Sequence, residues 1–403
     1  MRLSEIREVI QFRRLEPDRV ARQLRSCLNV GELRRLSRRR LPRAVFDYVD
    51  GGADEEITLR GNEAAFRAWR FAPRVLEGAG APAISTELFG RPFAAPLMLC
   101  PTGYTRMMHP DGEEAVARAT RARRLPYALS TVGTTTIEDL AATGHEDLWF
   151  QLYVLRDRGL ARSLVERAQL AGYRGLQVTV DTPVTGIRER DVRNGLTIPP
   201  ELSPYTVADI AVHVGYWTGM LRSPALRFAN LGEPKIGYER VTSANMGTLF
   251  DPALTWDDLA EVRSWWKGPM LIKGWVGPDD ARVARSIGID GVHLSNHGGR
   301  QLDRAIPTVD LVAPVREALG DEGTIVVDSG VRHGADIAIA VALGADMCGV
   351  GRPYLYGLSV AGERGVLHTV DLLLEQLRRT MHLAGVASLA DLRRRRDELL
   401  RRA

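Results

Sequence analysis

The sequence predicts an α/β fold: a (βα)8 TIM barrel with an N-terminal helical segment and a long loop insertion after the fourth strand. Three observations predict it. Eight short apolar runs recur, at 96–100, 127–131, 148–153, 175–181, 269–273, 291–295, 324–328 and 346–350. They lack clean alternation, as strands covered on both faces do. Amphipathic segments of helical spacing lie between them, such as 112–124, 158–171, 278–287 and 334–343. Eight strand–helix units fit a closed barrel better than a doubly wound sheet. The chain of 403 residues also has room for the about 250 that such barrels use.

We read 1–403 as one domain in three parts. Residues 1–90 are helical with turns, including the glycine turn in Asp50-Gly51-Gly52-Ala53. The barrel occupies 91–365 with the insertion at 184–254, and 366–403 are C-terminal helices. An insertion of that length inside a compact domain is usually functional or partly disordered. Within it, 206–222 places Val207, Ile210, Ala211, Val214, Trp217 and Leu221 on one helical face. Such a face packs into a core or meets a membrane surface or partner.

Composition narrows the class. Hydrophobic content of 45% and charge of 26% are those of a globular protein with a large core. Net charge is +4, carried almost wholly by arginine. The runs at 38–40 and 393–396 read as solvated helix faces, because no aromatic-rich basic module for nucleic acid accompanies them. Cys27, Cys100 and Cys348 are odd in number and far apart. They give neither a disulfide framework nor metal spacing, which points to a reducing, cytoplasmic setting. No apolar signal core opens the chain, and no window reaches the about 18 apolar residues of a membrane span.

The C-terminal ends of barrel strands form the active face, so their residues decide the chemistry. Polar groups stand at every end: Thr102-Gly103, Ser130, Gln151 with Tyr153, Thr179 with Asp181, Lys273, Ser295 to Arg300, Asp328 to Arg332, and Gly351-Arg352. Together they imply a large polar ligand. Loops after strands seven and eight commonly hold phosphate. Gly330 and Gly351 admit close backbone approach, and Arg332 and Arg352 can neutralise charge. Lys273 suits a Schiff base or a cation beside an anionic cofactor ring. His297 suits a general base, with Asp181 to orient it. Arg188 and Arg300 suit a carboxylate clamp, and Tyr48 and Tyr153 a substrate oxygen. His293 reads as core and His109 as a loop residue, and neither His297 nor His333 has a second ligand at metal spacing, so no metal is expected.

The stretch Ser295-Asn296-His297-Gly298-Gly299-Arg300-Gln301-Leu302-Asp303 resembles the signature of the FMN-dependent 2-hydroxy acid oxidase and dehydrogenase family. The segments at 41–56, 101–113, 149–154, 179–191, 271–274, 328–336 and 351–358 follow in family order, so the resemblance spans nearly the whole chain. It implies FMN at the open end of the barrel. Tyr48, Tyr153, Arg188 and Arg300 would then hold the carboxylate and hydroxyl of an (S)-2-hydroxy acid, with His297 as base and Asp181 behind it. Lys273 would sit by the flavin N1–C2 edge and favour the reduced anionic ring. Thr102, Gly103, Ser130, Gln151, Thr179, Ser295 and Asp328 would line the flavin, and Gly330, Arg332, Gly351 and Arg352 its phosphate end. Glycolate oxidase members carry Trp where this chain has Val132, so a larger, mandelate-like acid is expected, with lactate as the alternative.

The look is that of the mandelate and lactate dehydrogenase branch. The expected electron acceptor is a quinone, a protein or oxygen, with Gly103 leaning toward dehydrogenase chemistry. Peripheral contact with the inner face of the membrane through 206–222 and a tetrameric assembly are expectations by analogy. A flavin isomerase, a peptide-modifying barrel or a non-catalytic barrel are the rivals; retention of both arginines and of the His297–Asp181 pair speaks against them.

Overall fold

The structure, a computed structural model, describes residues 16–195, 203–231 and 249–403. Its centre is a closed barrel of parallel strands: β1 Leu97–Leu99, β2 Tyr127–Ser130, β3 Leu148–Tyr153, β4 Gly175–Thr179, β5 Met270–Gly274, β6 Gly291–Leu294, β7 Thr324–Val327 and β8 Met347–Val350. Each strand falls inside an apolar run read from the sequence, or within one residue of it. Nearly every strand residue is buried, which is why the runs do not alternate. β8 pairs with β1, and β6 with β7, so the sheet has no free edge.

The outer layer is α1 Gly112–Ala122, α2 Ile137–Ala141, α3 Arg158–Leu170, α4 Trp256–Trp265, α5 Pro278–Ser286, α6 Val309–Leu319, α7 Gly334–Leu343 and α8 Arg352–Leu383. Their starts are written locally. Thr136 and Asp157 accept backbone N–H groups at α2 and α3, and Thr255 with Asp258 forms a capping box at α4. His333 is the cap of α7: its Nδ1 accepts from the Ala335 N–H at 3.0 Å. Helix α8 breaks at Ala361 and Gly362.

The N-terminal end of the barrel is plugged by apolar side chains. A hairpin of Thr86–Leu88 and Arg91–Phe93 brings Leu88 and Phe93 against Met98, Trp149, Leu271 and Met347. Each such large side chain contributes about 1.5–3 kcal/mol by leaving water. The chain ends in a strand, Leu400–Arg402, paired antiparallel with Trp69–Phe71.

The N-terminal helices close one side of the opposite end. Helix Arg43–Asp50 ends in Asp50, which accepts from Arg34, Arg190 and Tyr356. Burial opposes its charge, but Arg34, Tyr356 and the nearby Arg352 hold its carboxyl below the ordinary range. The insertion corrects one expectation. Residues 206–222 are not one continuous helix: Pro204–Val212 and Val214–Leu221 meet at His213, whose backbone is non-helical and whose Nδ1 lies 2.6 Å from the Asp209 carbonyl. Neither helix buries a residue, so it is not a core helix. Val207, Val212, Val214 and Leu221 face solvent.

Candidate active site

The catalytic histidine expected from the sequence sits in an unusual backbone. His297, Gly298 and Gly299 all have positive φ, at 58°, 66° and 73°. Glycine accepts this region freely, and residues with a side chain, such as His297, adopt it rarely. A Cβ at Gly298 would meet the Arg352 guanidinium, and one at Gly299 the Leu59 backbone. The turn is held from below by Ser295 Oγ and Ser329 Oγ, which accept from the His297 and Gly298 N–H groups. Asn296 and Asn62 exchange amide hydrogen bonds behind it, at 2.8 and 2.7 Å.

This turn aims the His297 ring at two partners. Nδ1 faces Asp181 Oδ1 at 3.0 Å, just beyond the end of β4. Nε2 lies 3.0 Å from the hydroxyl of Tyr153 at the end of β3. Tyr153 in turn stacks on Phe250, with ring centres 4.5 Å apart. Burial, with Asp181 close by, raises the Tyr153 phenol, so it stays a neutral donor.

Tyr48 reaches the same space from the N-terminal segment, and both arginines lie against its ring. The Arg300 guanidinium carbon is 5.0 Å from the ring centre, and that of Arg188 is 5.6 Å. Arg300 donates to the Tyr48 and Gly51 carbonyls. Burial and the neighbouring Arg188 lower its pKa to about 10, so it remains a cation at neutral pH. Arg188 donates through Nε to Asp191 at 2.6 Å. Its pKa is raised: burial opposes the charge, but Tyr48 and Asp191 outweigh it.

The cleft below encloses about 190 Å³. Tyr48, Tyr153, Arg188, His297 and Arg300 line it together with Thr102, Gly103, Val132 and Lys273. At one end stand Asp328, Gly330, Arg332, Gly351 and Arg352. Gly351 caps the N-terminus of α8, where free backbone N–H groups and the helix dipole favour an anion. The two expected phosphate arginines are already partly engaged. Arg332 pairs with Glu63 at 3.2 Å, and Arg352 donates to the Val49, Gly51 and Gly298 carbonyls. Arg352 therefore also ties the Tyr48 segment to the barrel. Ser130, Gln151 and Thr179 form a buried hydrogen-bonded row across β2, β3 and β4. Thr102 shares its hydroxyl with Thr105 and Tyr354.

Lys273 is buried and donates to Ser295 Oγ at 2.9 Å. Burial opposes its charge, but Asp328 and Asp181 hold its pKa above the ordinary value. A buried cation in the same cleft as a helix N-terminus and side-chain-free glycines suits a phosphorylated, electron-rich ring system, so these residues fit FMN. Sequence reading did not single out several participants. Asp191 orients Arg188, and its i+3 spacing was the available signal. Phe250 lies at the end of the insertion without any motif. Cys100 and His293 join Asp328 in a buried cluster whose Sγ, Nε2 and carboxylate oxygens lie within 4.8 Å of one another. The nearby Lys273 ammonium, 3.5 Å from Asp328, already supplies positive charge there.

A barrel whose mouth gathers glycines and arginines at one end, a buried lysine and a paired histidine and aspartate suits an oxidoreductase of the flavin-using class. The chain belongs to the FMN-dependent dehydrogenase family, whose profile matches residues 37–399, and FMN is its cofactor. A Mycobacterium tuberculosis protein provisionally named an L-lactate dehydrogenase is 43% identical over all of this chain and 96% of its own length. The L-lactate dehydrogenase of Pectobacterium atrosepticum is 39% identical over 90% of this chain and 94% of its own. Among solved structures, the monotopic membrane protein (S)-mandelate dehydrogenase is similar, at 36% identity with a TM-score of 0.89, covering 94% of this chain and 100% of that one.

Proposed function

We propose that the protein oxidises an (S)-2-hydroxy acid to the 2-oxo acid, with a mandelate-like acid as substrate. The observation that carries this is the His297 ring held between Asp181 and Tyr153, with two guanidiniums beside it on Tyr48. Arg188 and Arg300 bind the carboxylate, and their planar forks fix its orientation. Tyr48 and Tyr153 hold the hydroxyl oxygen. His297 Nε2 takes up the proton the acid releases, and Asp181 stabilises the imidazolium that results. Bound FMN supplies the two-electron acceptor. Lys273 would offer its ammonium to the bound ring, and Gly330, Gly351, Arg332 and Arg352 would hold its phosphate.

Val132 supports the larger acid, since a small aliphatic side chain lines the cleft where bulk would narrow it. L-lactate is the second reading, supported by the names of the curated relatives. The exposed apolar side chains of 204–221 support peripheral membrane contact and a quinone acceptor there, as does the monotopic neighbour. No helix among the described residues is long and apolar enough to cross a membrane. An anaerobic panel of 2-hydroxy acids, read by flavin bleaching, tests the substrate. Faster bleaching by (S)-mandelate supports the first reading and faster bleaching by L-lactate the second. Bleaching by neither sinks both. Rates with oxygen against a dye acceptor then separate oxidase from dehydrogenase.

A further inference from the structure

Beneath the cleft, one carboxylate is shared by donors from several strands. Asp328, just past β7, accepts from Ser329 Oγ on Oδ1 at 2.7 Å. Its Oδ2 faces three groups: His293 Nε2 of β6 at 3.1 Å, Cys100 Sγ beyond β1 at 3.5 Å, and Lys273 Nζ of β5 at 3.5 Å. All three side chains are buried.

The protons can be assigned. Asp328 is held well below the ordinary carboxyl range: burial opposes its charge, but Lys273 and His293 more than offset that. It is a carboxylate and offers no hydrogen, so His293 must donate through Nε2. His293 Nδ1 has no partner among the described residues, and burial lowers the ring's pKa. The imidazole is therefore neutral, a donor at one nitrogen only. The cysteine thiol, raised by burial and by Asp328, is the second neutral donor.

The distances then show a contest. A contact ammonium–carboxylate hydrogen bond spans about 2.7–2.9 Å. Lys273 stands further from Asp328 than that and closer to Ser295. The oxygen it would reach is already taken by the imidazole and the thiol. Gly349 makes the arrangement possible, because a Cβ there would collide with Cys100 and crowd Asp328 and His293.

We propose that His293 is a positioning residue for the flavin site: by donating to Asp328, it holds the Lys273 ammonium at 3.5 Å from that carboxylate, short of a contact hydrogen bond, and facing the cleft. Without the imidazole N–H, the ammonium closes onto Asp328 and its charge is spent there. The inference rests on the reading that Lys273 faces the flavin ring.

The test is the midpoint potential of FMN in the holoenzyme, by anaerobic redox titration at neutral pH, with FMN content and thermal melting as checks on folding. His293→Leu is expected to lower the potential by about 30 mV, a tenfold change in the two-electron equilibrium. His293→Gln, whose amide N–H reaches the same oxygen, is expected to stay near the parent value. Cys100→Ala is expected to shift it in the same direction by less. An unchanged potential in His293→Leu overturns the proposal, and so does an equal drop in the Gln and Leu variants, which would mark a packing role. If His293→Leu yields no folded holoenzyme, His293→Met, again without a donor, takes its place: a drop relative to His293→Gln supports the proposal and no difference overturns it. Lys273→Gln separates the two layers. If it leaves the potential unchanged, Lys273 does not face the flavin; if it shifts the potential while His293→Leu does not, only the role of His293 fails.

Discussion

His297 and Asp181 face each other at the barrel mouth, Nδ1 to Oδ1 at 3.0 Å, although 116 positions separate them in the chain. Under the proposed function, the pair sets which nitrogen of the ring meets the substrate. A carboxylate at Nδ1 holds a proton there and leaves the base's lone pair on Nε2, beside the Tyr153 hydroxyl. His297→Ala should retain FMN and lose turnover by about 10²–10⁴-fold. Asp181→Asn should cost a comparable factor by disturbing the tautomer while FMN content stays normal. Stopped-flow reduction by the 2-hydroxy acid measures both, and normal flavin reduction in His297→Ala would remove the base assignment.

The two arginines are predicted to fail differently. Arg300 bonds the Tyr48 and Gly51 carbonyls as well as facing the cleft, whereas among the described residues the Arg188 side chain is held by Asp191 and the Tyr48 ring alone. Arg300→Lys should raise KM at least about tenfold and also lower Tm, since losing a charged hydrogen bond costs roughly 1.5–3 kcal/mol. Arg188→Lys should raise KM with Tm nearly unchanged. Melting curves beside substrate titrations separate the pair.

Gly103 and Val132 share one space. A Cβ at Gly103 would come within 2.7 Å of Val132 Cγ2, and Val132 is buried. Gly103→Ala should therefore cost about 1–3 kcal/mol in stability through overpacking. Adding Val132→Ala should recover most of it. A double-mutant cycle on denaturant midpoints reads the coupling, and strict additivity would show that the two do not touch.

A buried histidine away from the site predicts an acid limb of stability. His145 Nδ1 accepts from the Asp147 N–H, and Nε2 pairs with Thr120 Oγ1, each at 3.0 Å. Burial chiefly lowers its pKa from 6.5 to about 4. The folded state thus prefers the neutral ring, and between those values the unfolded chain binds more protons. Stability from this group is complete above the unfolded pKa and falls as pH drops from about 6.5 toward 4, by roughly 3 kcal/mol in all. His145→Gln should flatten that limb in chemical denaturation across the window.

The insertion should govern partition rather than chemistry. Val212 and Leu221 are 75% and 76% exposed. Changing both to Asp should reduce sedimentation with anionic lipid vesicles several-fold, with the rate to a soluble dye acceptor unchanged. Equal sedimentation of the two proteins would dismiss the membrane contact.

Much of this architecture was legible because it is local. Strands such as Tyr127–Ser130 and Thr324–Val327 are short, apolar and followed by helical spacing, and that pattern is a property of adjacent residues. Eight of them leave little choice but closure. The residues at their C-terminal ends then had to share one face, and the structure brings Tyr48, Tyr153, Asp181, Arg188, His297 and Arg300 together there. The break at His213 was not legible. The apolar spacing runs through it unbroken, and a backbone turn with its own hydrogen bond ends the helix instead.

The sequence by itself determined the barrel, the reaction face and the family. Only the tertiary structure decided what each polar group spends its hydrogen bonds on. Arg352, expected at the phosphate, also clasps three carbonyls from two distant segments, and His293, which reads as core, supports a carboxylate beneath the cleft. The reason is physical: strand periodicity is encoded by neighbours in sequence, but a buried donor takes whichever acceptor closure of the barrel places beside it.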